Sequence, residues 1–521
     1  MRINIYSALL PVFLAMASMV EAKGNSDRLF YSFDRLENRN GWLLSDNAAG
    51  LTTYAEQNFT QAVVQTGFTR GDYRNVYDPE SEIESRFNVR SYYRINKIVL
   101  FGQFLFDYNT KKNQGWSSVT YPDSSPLHIG DDVPGTQIKE TYFFKGGIGL
   151  PVWNNITLGG YYDFEGATNS KKKDIRNQNS YSRYHLKPSL MWQKGRFRIG
   201  ASYIFGSESE NIKWRVYEDL KQHEIFFFEG LWFGTKEITS SSVTERRFDH
   251  IRQKGSFQFE YLTPRVKWFN EFSLGKEHHK VYLNKDEERG GEYRKASYNY
   301  SGQIGILSGN YEHTFRGNIN HSFLKSYKNL QQLEMVDYFY QFIQYGLLLR
   351  YTESDWNGLF HYELIKNRAN SSWSNDWQLK MQAGYTVKEQ RFRAYPAVYR
   401  QKTNRIYGMA GFEKNILMRR SMLDLGIQAV YTAGWGDEVA PENAEVTSDY
   451  ERREDLQKSG YNYLTANVLT GRLDVKYSYF LQPDRGISAF GKLSGQYRCV
   501  TDSALSGNSR TFCALTLGLN F

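Results

Sequence analysis

A chain of 521 residues with 16% aromatic side chains, 39 of them Tyr, and only 2 Cys is not a small disulfide-stapled domain. Its mean hydropathy of −0.61 leaves no room for a bundle of apolar membrane helices. The net charge of +9 is scattered along the chain instead of gathered in one patch, which argues against a nucleic-acid-binding surface.

The chain opens with Arg2, an apolar run from Ala8 to Val20, and then Val20-Glu21-Ala22. That order of charge, apolar run and small residues predicts a secretory signal peptide over 1–22, cut after Ala22. The run is too short to span a bilayer as a helix, and no cysteine follows it to carry a lipid anchor. Residues 23–58 are too few for a globular plug domain and are expected to lie in the periplasm or tuck into a lumen.

From residue 59 to 521 the apolar residues recur with period two, the signature of strands. The hairpin from Tyr142 to Phe164 turns at Val152-Trp153-Asn154-Asn155, with Ile156, Leu158, Gly160, Tyr162 and Phe164 on one face. Next, Tyr181–Gln193 and Phe197–Phe205 flank Lys194-Gly195, and Arg198, Gly200 and Ser202 face away from the apolar set. About twenty strands follow from such spacing, within a range of roughly 18–22. They include separate strands at 335–351 and 356–367, and three at 376–388, 391–401 and 404–416. Every second connection is tight, including 194–195, 352–355 and 389–390, whereas those at 109–138, 208–253, 277–296 and 434–460 are long. The brief connection at 402–403 breaks this phase and marks a miscounted pair.

An all-β transmembrane barrel, antiparallel and up-and-down, accounts for the alternation, the low mean hydropathy and the Tyr content together. Short periplasmic turns and long extracellular loops belong to that architecture, placing both termini in the periplasm of an outer membrane. The last strand alternates Leu515, Leu517, Leu519 and Phe521 with Thr516, Gly518 and Asn520. Its aromatic end resembles the signal by which the barrel assembly machinery recognises clients.

With the apolar sets facing lipid, the inward sets are polar. They place Arg86, Arg90, Arg196, Arg198, Lys267, Glu271, Arg316, Arg391, Arg393, Asp474, Lys476 and Lys492 along a lumen. Such an interior suits small solutes with a mild preference for anions, or else charges that pair across a filled core. A barrel this wide needs restriction. In the loop 208–253, Phe226, Phe227, Phe228, Leu231, Trp232 and Phe233 cannot sit comfortably in water. They form either a constriction folded into the lumen or a surface for a partner protein or lipopolysaccharide.

Cys499 and Cys513 flank a loop centred near Ser506-Gly507, and pairing about that centre predicts a cross-strand disulfide. Asp249-His250, in the long loop, is the arrangement a barrel protease would use, although a loop Asp-His is ordinarily a solvated pair. Glu277-His278-His279 lacks a third partner for a metal. His313 and His321 share a face with Phe315, Ile319 and Phe323, with no serine beside them for a lipase. No nucleotide or redox motif is present, so neither an enzyme nor a cofactor is expected.

Signal peptide, Tyr-rich strands, long polar loops and the terminal Phe521 together resemble a Bacteroidota outer-membrane β-barrel family of unknown function. The resemblance covers the mature chain. It implies a plug-less, porin-like barrel that neighbours nutrient or iron uptake systems, with a TonB-dependent transporter or surface lipoprotein as partner. The reading is therefore a channel or diffusion pore. An accessory barrel is the alternative, and a barrel hydrolase the third.

Overall fold

The computed structural model describes residues 26–521 except 218–221, 240–243, 284–287, 337, 370 and 443–450. The signal peptide expected at 1–22 lies outside the described residues. The first strands are β1 (Phe59–Gly71), β2 (Ser81–Ile95), β3 (Ile98–Gln114), β4 (His128–Gly130), β5 (Gly135–Trp153), β6 (Ile156–Lys171), β7 (Arg176–Lys194) and β8 (Phe197–Arg215). Next come β9 (His223–Gly230), β10 (Phe233–Thr239), β11 (Thr244–Leu262), β12 (Val266–Leu283), β13 (Glu288–Ser308), β14 (Tyr311–Val336) and β15 (Phe339–Asn367). The chain finishes with β16 (Asn375–Ala394), β17 (Ala397–Leu417), β18 (Ser421–Pro441), β19 (Glu451–Arg452), β20 (Asn467–Gln482), β21 (Ile487–Asp502) and β22 (Ser509–Asn520).

Eighteen of these strands pair antiparallel in sequence order, and β1 closes the ring on β22 from Gln61↔Asn520 to Gly71↔Arg510. Closure leaves no edge strand in the wall. Tight turns gather on one rim, where Gly195 and Gly309 take φ of 58° and 60°, a conformation only glycine adopts at little cost. The long connections gather on the opposite rim. Outward positions carry exposed Leu, Tyr, Phe and Trp, such as Tyr162, Trp268, Phe323, Leu473 and Leu517. No described helix is long and apolar enough to cross a membrane.

The strand count corrects the expected twenty. Residues 352–355 are not a turn but the middle of β15, paired with Ser322–Lys325 on one side and with Lys388–Arg391 on the other. Likewise 389–390 lies inside β16. Polar runs inside strands looked like turns because Glu353 faces a charge partner, Lys388, 3.1 Å away across the lumen wall. The phase break at 402–403 is the trace of that error: Lys402 and Thr403 lie within β17.

Strands also run further than their apolar alternation. The stretch called a loop at 208–253 contributes the upper half of β8 and β11, and 277–296 the upper halves of β12 and β13. There both faces are polar, so alternation fades although the pairing continues.

The expected disulfide does not form, and both cysteines are free. The β21–β22 register pairs Cys499 with Ser509 and Cys513 with Gly495, a slip of four positions from the assumed centre. At about 3.3 Å per residue that separation is beyond the reach of a disulfide. An even slip keeps every side chain on its face, so alternation could not reveal it.

Candidate functional site

The lumen is the candidate site, and two parts of the chain close it. At the turn rim, residues 26–58 fold into short helical turns inside the barrel. They include α1 (Phe33–Asn38), α2 (Gly41–Leu44) and a 3₁₀ turn at Ala48–Thr53. Each begins on a polar cap: the side chains of Ser32, Asn40 and Asn47 accept from the backbone N–H groups of Arg35, Trp42 and Ala49. Such short turns are not stable alone, and the wall holds them. This segment lies in the lumen, one of the two places expected for it, as a small plug that the plug-less reading did not foresee.

Glycines in the wall make the seat. A Cβ at Gly159 would lie 2.0 Å from the backbone N of Ala49, and one at Gly200 would lie 2.7 Å from the Trp42 ring. Trp42 is fully buried against Phe269, with ring centroids 5.4 Å apart, and its Nε1 donates to Glu260 at 2.8 Å. Phe33 and Tyr54 stack on the wall residue Tyr92 at 5.4 and 4.7 Å. Tyr31 meets Trp373 at 4.8 Å.

Charge pairs ring that aromatic centre. Arg39 Nε donates to both carboxylate oxygens of Glu312, at 2.8 and 2.9 Å. Glu37 lies 3.7 Å from Arg90, whose guanidinium sits over the Phe33 ring. Arg35 donates to Asn367 Oδ1 at 2.5 Å and to the carbonyls of Ser372 and Trp373. Asp46 reaches Lys187 at 3.1 Å and Lys254 at 3.3 Å. Burial alone would raise the Asp46 pKa, but those lysines outweigh it and hold the carboxyl below its ordinary value. Burial lowers the Arg35 pKa to about 10, with Arg39 nearby adding to the effect.

At the loop rim a small sheet, β4–β9–β10–β19, sits inside the barrel mouth with α3 (Glu454–Thr465) beside it. Its seat is apolar. Ile225, Leu231 and Phe233 pack with the wall residues Ile212, Trp214, Phe248, Tyr293, Tyr351 and Phe392 in one buried cluster. Phe233 lies flat on Phe392, with ring centroids 4.5 Å apart. Phe226 and Phe228 turn to the other side and pack with Leu456, Trp116 and Trp232. Gly230 touches the wall: a Cβ there would lie 2.4 Å from the Tyr351 ring. Ion pairs add to this seat, among them Arg246 with Glu237 at 2.8 Å and Arg350 with Glu229 at 3.9 Å.

Between plug and lid the wall is polar. Asp163 pairs with His185 at 2.7 Å and Lys187 at 3.0 Å. Asp474 gathers Arg472, Lys492 and Ser494 at 2.8, 3.1 and 2.6 Å. Gaps of about 200 and 280 Å³ remain beside the plug. Asp34, Glu363, Lys380 and Lys476 border the first, and Lys267, Gln303 and Arg39 the second.

One family model, described as a family of unknown function (DUF6850), matches residues 48–521. The chain belongs to this family. Its matched region takes in the Ala48–Thr53 turn of the plug and the whole barrel. No curated protein matches the sequence. Among solved structures, the ferric preacinetobactin receptor BauA of Acinetobacter baumannii is similar at 8% identity and a TM-score of 0.40, covering 90% of this chain and 80% of that one. The ferric citrate transporter FecA is similar at 7% identity and a TM-score of 0.38, covering 89% and 79%. The RagAB peptide importer gives 5% identity and a TM-score of 0.36, covering 89% and 87%. Likenesses this distant carry no argument about what this DUF6850 barrel does.

The inward set assigned from sequence divides. Arg86 meets Glu84 and lies 3.6 Å from Asp107, and Arg198 reaches Glu260 at 2.7 Å. Arg316 donates to the Asn38 carbonyl of the plug at 2.9 Å, and Glu271 accepts from Gln258 at 3.0 Å. Together with Arg90, Lys267, Asp474, Lys476 and Lys492 these point inward. Three do not. Arg196 sits exposed in the β7–β8 turn. Arg391 and Arg393 share the outer set of β16 with Glu389, because the strand runs unbroken and Lys388, Gln390 and Phe392 take the inner one.

The enzyme-like pairs come apart. Asp249 faces outward to Arg247 and Ser209, whereas His250 faces inward, 3.5 Å from Glu277. His278 and His279 likewise split across the wall. His279 stacks on Tyr293 at 4.6 Å beneath the lid. His313 and His321 lie on the outer face beside Tyr362 and Trp356. No described group of three His, Cys, Asp or Glu residues could hold a metal ion. The plug contacts Arg35, Arg39, Trp42 and Asp46 were missed, although the wall glycines opposite them stood in the sequence as small residues on inward faces.

Proposed function

We propose that this barrel is an outer-membrane channel for small hydrophilic solutes, closed in the state described. The apolar outer face, set against a charged lumen, supports a place in lipid, with the turn rim periplasmic. The observation that carries the channel reading is the plug's attachment. Residues 26–58 contribute no strand to the wall, and beside their apolar contacts they are held by ion pairs and hydrogen bonds that water can replace. A lumen with only a structural purpose would be packed with apolar side chains, not left with charged gaps around an insert that adds no strand to the wall.

Planar bilayers test it. Wild type is expected to give small or rare conductance steps, and Gly159→Leu, which removes the plug's seat, large and frequent ones. Heat-modifiable gel migration confirms that the variant keeps its barrel. Silent bilayers for both folded proteins would rule the channel out.

One observation favours a second reading, a barrel that serves a partner protein at the outer surface. β14 pairs with β13 only as far as Lys328, and β15 pairs with β16 only from Tyr351. The hairpin between them projects beyond its neighbours and exposes Leu333, Met335, Tyr338, Phe339 and Tyr340. Residues 329–349 contain Glu334 and Asp337 but no Lys or Arg, so phosphate-rich lipopolysaccharide is a poor match and an apolar protein surface a better one. A photo-crosslinker at Tyr340 in intact cells should give one discrete adduct, lost when Leu333 and Met335 become Ser. Adducts that survive those changes would count against a specific partner.

A further inference from the structure

Four adjacent strands, β11 to β14, leave a cavity of about 240 Å³ in the wall between lid and plug. Three cations border it, Arg252, Lys254 and Lys295, against a single carboxylate, Glu277. Arg252 is engaged by Glu277 at 3.0 Å, and Lys254 by the plug's Asp46 at 3.3 Å. Lys295 makes no ion pair or hydrogen bond among the described residues. The nearest further acids, Glu353 and Asp355, lie with Lys388, which Glu353 already holds at 3.1 Å.

The remainder of the cavity is built to meet hydroxyls. Ser297 pairs with Ser322 and Asn299 with Asn320 across β13 and β14, so two hydroxyls and two amides form a patch beside the cations. None of these four side chains makes a hydrogen bond to another described residue. Four idle hydroxyls and amides beside an idle ammonium leave donors and acceptors free to meet a solute. Gly275 keeps the space open, since a Cβ there would lie 2.5 Å from Ser297 Oγ.

We propose that this cavity is a binding site for a small anionic, hydroxylated solute of the acidic-sugar class. The proposal rests on the channel reading and names what the channel would carry. The carboxylate sits between Lys295 and Lys254, while the hydroxyls meet Ser297, Asn299, Asn320 and Ser322. Occupancy has a consequence for the plug. The Asp46 carboxylate is itself an anion seated on Lys254, so a solute carboxylate competes with it for the same ammonium and loosens the plug's charge contact.

Calorimetric titration of the purified full-length protein with sodium glucuronate, glucose and inorganic phosphate tests this. Glucuronate should bind saturably, phosphate more weakly, and glucose not at all. Lys295→Gln should weaken glucuronate at least tenfold, and Asp46→Asn, by freeing Lys254, should strengthen it several-fold. If phosphate equals glucuronate, the hydroxyl patch has no part and the acidic-sugar assignment fails. Equal glucuronate binding by wild type and Lys295→Gln, or none by wild type and by the plug-unseating Gly159→Leu, overturns the site. Failure here with conductance intact removes the site alone. Silent bilayers with Lys295-dependent binding would remove the channel alone.

Discussion

The two closures of this barrel are made differently. The lid at the loop rim is a β-sheet whose apolar side joins a continuous core with the wall, from Trp214 and Phe248 to Phe392. The plug at the turn rim is a string of helical turns with an aromatic centre, ringed by Arg39–Glu312, Glu37–Arg90 and Asp46–Lys187. Apolar burial is indifferent to pH, while partly buried charge pairs respond to pH and are screened by salt. The plug is therefore the end expected to respond first to solution conditions.

That contrast can be broken by substitution. Gly159→Leu has the largest expected effect: the plug's own backbone at Ala48 and Ala49 fills the space of the new side chain, so the plug cannot stay seated while the lid is untouched. Protease accessibility of residues 26–58 should rise to completeness, with cleavage in the lid unchanged. Phe233→Ala should do the reverse, removing about 3–5 kcal/mol of packing from the lid. Its expected signature is rapid cleavage within β9 and β10 with the plug still protected. Arg39→Gln should cost the plug about 1.5–3 kcal/mol, the range for a hydrogen bond to a charged group. Cleavage of the plug should then be faster by an order of magnitude or more.

The smallest effect is pH. Asp46 has a lowered pKa in the docked plug, through Lys187 and Lys254 with Lys145 further off, after overcoming its own burial. Its contribution is therefore full above its ordinary value of about 4 and is lost as pH falls through the lowered one. Plug protection should decline in that acid range, and Asp46→Asn should remove this component. A lid that loosens over the same range would erase the distinction between the two ends.

Period-two alternation made the barrel legible, and the inward positions of Arg90, Arg198, Arg316 and Asp474 followed from it. It failed where the alternation carried no information. Glu353 lies opposite Gln390 in mid-wall and pairs with Lys388, yet in sequence Glu353 and Gln390 each looked like part of a polar turn. Cys499 and Cys513 kept their faces through a four-residue slip that no pattern of faces can detect. Arg391 and Arg393 were assigned inward only because a false strand start reset the phase at 391.

What the sequence determined by itself was local: which residues alternate, where a glycine permits a tight turn, and that the outer face is greasy and the inner one wet. Those properties depend on neighbours one and two positions away. The tertiary structure decided which segments enter the lumen and which cations are left without a partner. Asp46 meets Lys254, and Phe233 meets Phe392, only after the ring has closed and brought distant strands to face one another.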